Sequence, residues 1–250
     1  MQLSMVIIVV ADQIAAFDSC VVAVCGGNAA LAANVRLAYH FMTEHMMRPC
    51  ELLFSRRQPD ATRLPSRLAP RWRGPDGDVP EHYETCVWRA KRRTSDKHRR
   101  NVPVYSPIVR GATVSTAAQL ESLQQDDPVP HARWGRTPLI RDPRTGAALS
   151  YETMLKILKV LVEVTGDDPA QFGLHSPRIG GLTMHGAARV DRVSMQHLGQ
   201  WATRAWMLYN RAERATLLAD STRAMQARVT RAEADDFMAR FLAAPRVERD

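Results

Sequence analysis

Apolar residues recur at helical spacing most clearly in residues 148–166, ALSYETMLKILKVLVEVTG. Ser150 supplies an N-cap hydroxyl, Glu152 lies in the first turn, and Met154, Ile157, Leu158, Leu161 and Val164 form one stripe that Gly166 ends. This spacing predicts a core helix. A second helical pattern runs from Leu31 to Phe54, LAANVRLAYHFMTEHMMRPCELLF, with Val35, Ala38, Met42, His45 or Met46, and Leu52 or Leu53 on the buried side. Pro49 divides it, predicting two helices joined near Met47–Pro49. Tyr39 falls on the apolar face and is expected in the core.

Period-two segments occupy ETCVWRAK and RNVPVYSP, flanking the run RRTSDKHR, and read as a strand, a basic turn and a second strand. Residues 57–81 contain five prolines and read as an irregular connection, and residues 125–149 are also turn-rich. Residues 1–30 are apolar and Ala-rich without a clean period, closing on the turn-like CGGN. Glycine and proline vanish from about Trp206 until Pro245, and STRAMQARVTRAEADDFMARFLAA predicts an amphipathic C-terminal helix or helix pair.

Charge adds a second layer. The net charge is +8 and the pI about 9.8, which makes a polyanion a natural partner. Seven basic residues and one Asp lie between Arg89 and Arg100, so most of that excess sits on the predicted hairpin. Only four residues are lysine: Lys91, Lys97, Lys156 and Lys159. The four cysteines lack zinc spacing and read as reduced, mostly buried thiols, pointing to an intracellular protein. MVIIVV lacks the positive flank of a signal peptide, and no run is long enough to span a bilayer. His82, His185 and His197 do not combine with carboxylates at ligand spacing, so no metal and no cofactor is expected.

The densest chemistry lies in residues 175–211, HSPRIGGLTMHGAARVDRVSMQHLGQWATRAWMLYNR. Ser176 as N-cap and Pro177 as the first helical residue would place Arg178 in the first turn and His175 just outside it. An imidazole and a guanidinium at a helix N-terminus favour an anion. A capping and ion-pairing role for both residues is the plainer alternative. Gly180 and Gly181 weaken a helix, which suggests that something approaches that turn closely.

The joint pattern of His175-x-x-Arg178, the LGQW segment and Tyr209, 34 residues after the histidine, resembles the tyrosine recombinase (phage integrase) family. MMRPCELL resembles that family's first-arginine motif, placing Arg48 and Glu51, and HSPRIGG is similar to the version seen in DIRS-type transposons of eukaryotes. The resemblance covers about residues 31–215, leaving 1–30 as an N-terminal stub with no room for the family's separate core-binding domain, and 216–250 as a helical tail. It implies an α+β fold, mainly α-helical with a small antiparallel sheet, and DNA cleavage and rejoining through a 3′-phosphotyrosyl link. It also implies a nuclear location in a eukaryote or a cytoplasmic one in a prokaryote, and a C-terminal segment that docks on a neighbouring protomer as a homo-oligomer assembles on DNA.

Such a reaction builds negative charge on a pentacoordinate phosphorus. Arg48 and Arg178 would hold its non-bridging oxygens with planar forks that stay charged at any usable pH. Tyr209 is the nucleophile and His175 its base in that scheme. The general acid is Lys91 or Lys97, with Lys91 favoured because it lies at the end of the first strand while Lys97 lies deep in the turn. Gln200 stands where the family has His or Trp, with Trp201 as the alternative third phosphate ligand. Arg89, Arg92, Arg93, Lys97, Arg99 and Arg100 would track double-stranded DNA, with binding that is weak and strongly salt-dependent. A relic that binds DNA without turning it over is the second reading. An RNA-binding protein is a distant third, since no stacking-aromatic motif supports it.

Overall fold

The computed structural model describes residues 11–56, 63–77, 79–88, 101–199, 214–227 and 229–243. Within them the chain is mainly helical with one small antiparallel sheet. Helix α1 spans Ala11–Val24 and α2 spans Ala29–Glu44. The aperiodic N-terminal stretch therefore holds a helix, and its Ile14, Phe17 and Val21 are fully buried in the same core as α2. Asn28 caps α2 by accepting from the Leu31 N–H at 2.9 Å.

Helix α2 is the central element. Thirteen of its sixteen residues are buried, so it is covered on all sides and not on a single stripe. Tyr39 is in the core as expected, and its hydroxyl donates to Asp18 of α1. The second helix expected after Pro49 is a single 3-10 turn, Pro49–Glu51. Leu52 and Leu53 beyond it are both buried, so the predicted stripe holds although the helix does not continue.

Strands β1 (Pro70–Arg73), β2 (His82–Trp88) and β3 (Asn101–Pro107) pair antiparallel in that order. The register pairs Trp88 with Asn101, so residues 89–100 connect β2 to β3 as the sequence pattern suggested. Strand β1 lies inside the stretch read as irregular; four residues beside prolines carry no legible alternation. Val87, Thr85, Val104 and Ser106 turn to the core.

Helix α3 (Thr116–Asp126) runs along α2. Its start is held by Glu44, whose Oε2 accepts from the Thr116 N–H at 2.7 Å, and by Ser115, whose hydroxyl accepts from the Ala118 N–H. At its other end Asp127 accepts from Asn34, Arg67 and Arg141. Burial would raise the Asp127 pKa, but the bonds from Arg141 and Asn34 and the charge of Arg67 hold it below the ordinary value.

Helix α4 (Tyr151–Val164) matches its prediction, with the Ser150 hydroxyl accepting from the Thr153 N–H at 3.0 Å and Gly166 at φ 87° after the end. Two positions differ, and Ile157 is the milder case, half-buried against the core. Val164 is 58% exposed and Val162 is buried in its place, because the buried face is Met154, Leu158, Leu161 and Val162, an i, i+4, i+7, i+8 series.

Helices α5 (Ser176–Ala187), α6 (Arg192–Gly199), α7 (Arg214–Gln226) and α8 (Arg231–Ala243) complete the described chain. The C-terminal pattern is thus a helix pair, and both members pack on α5 of their own chain. Cys20, Cys25 and Cys50 are half-buried and Cys86 is exposed, none of them in a disulfide, so the expectation of mostly buried cysteines fails. Among the described residues no helix is long and apolar enough to cross a membrane.

Candidate functional site

The site begins where α2 stops. His45 is its C-cap, and Met46 then takes φ 47°, a left-handed value that non-glycine residues seldom adopt. The turn swings Arg48 into extended backbone ahead of the Pro49 turn. The Arg48 N–H donates to Glu51 Oε2 at 2.8 Å, and its guanidinium lies 3.4 Å from Oε1. The Arg-x-x-Glu spacing closes this turn. Glu51 is buried while 32% of the Arg48 side chain remains exposed, so the acid orients a guanidinium that reaches solvent.

Helix α5 supplies the other two groups. The expected capping differs: His175 occupies the N-cap position in helical conformation, and no side chain caps the helix. The chain has already turned there, since the Ser176 N–H donates to the Gly173 carbonyl at 2.9 Å and the Gly173 N–H donates back to Ser176 Oγ at 3.1 Å. Ser176 is therefore the first helical residue and Pro177 the second. Arg178 falls in the first turn as expected and is buried, donating through Nη1 to the Met46 carbonyl and through Nη2 to the Gly199 carbonyl at 2.6 Å.

Gly181 explains how α5 comes so close. A Cβ there would overlap the Thr43 carbonyl oxygen and stand 3.0 Å from Met46 Cγ. What approaches this turn is the end of α2. The close crossing brings the Met46 carbonyl within reach of Arg178, three residues earlier on α5. Nothing in the sequence marks Met46 or Gly199 for this role, because each contributes only a backbone oxygen.

His175 stands at the surface beside both arginines. Partial desolvation of the ring, then the charge of Arg178, then that of Arg48, hold its pKa below the ordinary 6.5. A neutral imidazole next to two guanidiniums can accept a proton while the guanidiniums bind an anion. A buried polar cluster lies at the same end of α2. His45 Nε2 is 2.8 Å from Ser106 Oγ and 3.6 Å from Glu44 Oε1, and burial raises the Glu44 carboxyl to about 7 against the lowering effect of its Thr116 bonds. His45, expected on the apolar stripe, is buried but hydrogen-bonded.

Of the predicted site residues, Arg48, His175 and Arg178 are thus brought together. Lys91, Gln200, Trp201 and Tyr209 lie outside the described residues, as do Arg89, Arg92, Arg93, Lys97, Arg99 and Arg100. Lys156 is exposed on α4, and Lys159 donates to the Pro169 carbonyl. Among the described residues no three of His, Cys, Asp and Glu gather where they could hold a metal ion. Comparisons with protein-family models, with curated proteins and with solved structures find no match to this chain.

Proposed function

We propose that this chain is the catalytic domain of a tyrosine recombinase, acting on double-stranded DNA. The supporting observation is that Arg48, His175 and Arg178, from two distant segments, converge with the imidazole held toward its neutral form. In the proposed reaction Tyr209 Oη attacks a DNA phosphorus as its proton passes to His175. The bond from phosphorus to the 5′-oxygen breaks, and Lys91, with Lys97 as the alternative, protonates that oxygen. Arg48 and Arg178 hold the charge that builds on the non-bridging oxygens, a term that commonly contributes about 10²–10³ in rate per donor group. Reversal with a different 5′-hydroxyl rejoins the strand, so no cofactor enters the balance.

Gln200 offers a neutral donor where the resemblance calls for His or Trp. A DNA-binding relic is the reading that substitution favours if turnover is absent. The test uses nicked duplexes with a randomised segment, in which the short downstream piece bearing the released 5′-hydroxyl diffuses away and leaves the enzyme trapped on the 3′-phosphate. A covalent protein–DNA band is expected. Absence of any band, with duplex binding intact, overturns the catalytic reading in favour of the relic.

A further inference from the structure

A second charged surface lies away from these residues, on the 3-10 turn His131–Arg136, HARWGR. A 3-10 helix repeats every three residues, so positions i and i+3 eclipse. The rings of His131 and Trp134 do meet, with centroids 4.7 Å apart. The Trp134 indole N–H donates to the Val129 carbonyl at 2.8 Å, and Gln124 donates to the same oxygen at 2.8 Å, which fixes that row against the protein.

The next row is Arg133 and Arg136, both exposed. Their stems are about 6 Å apart along the axis. Among the described residues neither meets a carboxylate in an ion pair, and the nearby Asp127 is taken by Arg67 and Arg141. The third row, Ala132 and Gly135, is small and exposed, and a Cβ on Gly135 would meet open space. Two like charges stacked beside a flush backbone repel each other until an anion lies between them, and among the described residues nothing stands within 4 Å of a Cβ on Gly135.

We infer that the His131–Arg136 turn is a docking surface for the phosphate backbone of a nucleic-acid duplex, with Arg133 and Arg136 straddling neighbouring phosphates. It is separate from the Arg48, His175 and Arg178 cluster. Helix α3 starts beside Glu44, at the C-terminal end of α2, whereas Asp127 and Arg141, which flank the turn, both bond Asn34, about 15 Å of helix away from where α2 stops. The choice of DNA as the polymer rests on the function proposed above; the presence of an anion surface does not.

The test measures binding of the full chain to a fluorescent random-sequence duplex over a range of salt. Replacing both residues, Arg133→Ala with Arg136→Ala, is expected to weaken binding and to flatten the salt slope by about 1.8, the loss of two phosphate contacts. The double Lys variant keeps the point charges and is expected to restore the slope, with thermal melting unchanged in both. An unchanged slope in the alanine variant overturns the inference. So does loss of polyglutamate binding in that variant with its duplex slope intact, which assigns the surface to an acidic protein. Cleavage is not read here, so an absent covalent band with an arginine-dependent slope contradicts the catalytic reading and leaves this surface standing.

Discussion

Gly181 and Thr43 meet backbone to backbone: a Cβ on Gly181 would overlap the Thr43 carbonyl oxygen and lie 2.9 Å from its carbon. Neither atom is the end of a flexible side chain, so the two helices would have to separate. Gly181→Ala is expected to destabilise the protein by about 1–3 kcal/mol through overpacking, and to lower its melting temperature by about 2–4 °C for each kcal/mol. Because the same crossing presents the Met46 carbonyl to Arg178, the proposed phosphate binding is expected to weaken with it. Calorimetry checks the first effect and duplex titration the second; a variant that melts and binds as the parent does contradicts the crossing.

The imidazole of His175 titrates below 6.5 because partial desolvation and the charges of Arg178 and Arg48 oppose its protonation. The unfolded chain therefore binds the proton more readily, and this group reduces stability as pH falls below about 6.5, with no contribution above it. Arg48→Ala removes one of the charges, so the ring should titrate nearer its ordinary value. Ring-carbon NMR, with the signal assigned through His175→Gln, reads this directly. An unshifted midpoint in the variant places Arg48 away from the imidazole.

Two buried groups set opposing pH dependences. Burial raises Glu44 from 4.5 to about 7, so folding takes up a proton between those values and stability falls as pH rises through them. Burial lowers His185 from 6.5 to about 4, against a hydrogen bond with the Gly181 carbonyl and the charge of Asp220, so stability falls as pH drops through that range. From about 4.5 to 6.5 the two proton differences cancel. Glu44→Gln keeps an acceptor for the Thr116 N–H and is expected to expose the histidine's slope, with stability then rising toward neutral pH. Denaturant titrations at pH 4.5, 5.5 and 6.5 measure it. Parallel pH profiles in the variant and the parent contradict the assignment to Glu44.

What the sequence disclosed followed contrast between faces. Helix α4 is legible because its Leu and Met stripe faces charged positions and Ser150 caps it; α1 is not, because its exposed side mixes Ala15 and Ala23 with Asp12 and Ser19 and blurs the contrast with buried Ile14, Phe17 and Val21. The paired strands β2 and β3 show their alternation, whereas β1 is four residues beginning on Pro70. At the site, His175 and Arg178 could be named from side-chain chemistry and spacing, and Arg48 from the resemblance of MMRPCELL to a first-arginine motif. Their supports could not, since the Met46 and Gly199 carbonyls depend on a left-handed turn and a helix crossing, and Ser176 loses the cap to a turn that starts at Gly173. The arginine row at Arg133 and Arg136 becomes visible only once the segment is known to be a 3-10 turn.

The proposed reaction leaves a phosphotyrosyl link at one position among the five tyrosines Tyr39, Tyr83, Tyr105, Tyr151 and Tyr209. Tyr39 is fully buried and hydrogen-bonded to Asp18, which removes it as a nucleophile. Digesting the trapped protein–DNA complex with nuclease and protease and sequencing the nucleotide-bearing peptide by mass spectrometry locates the link. The nucleotide is expected on Tyr209, with no complex from Tyr209→Phe. A nucleotide on any other residue, or a complex that survives Tyr209→Phe, contradicts it.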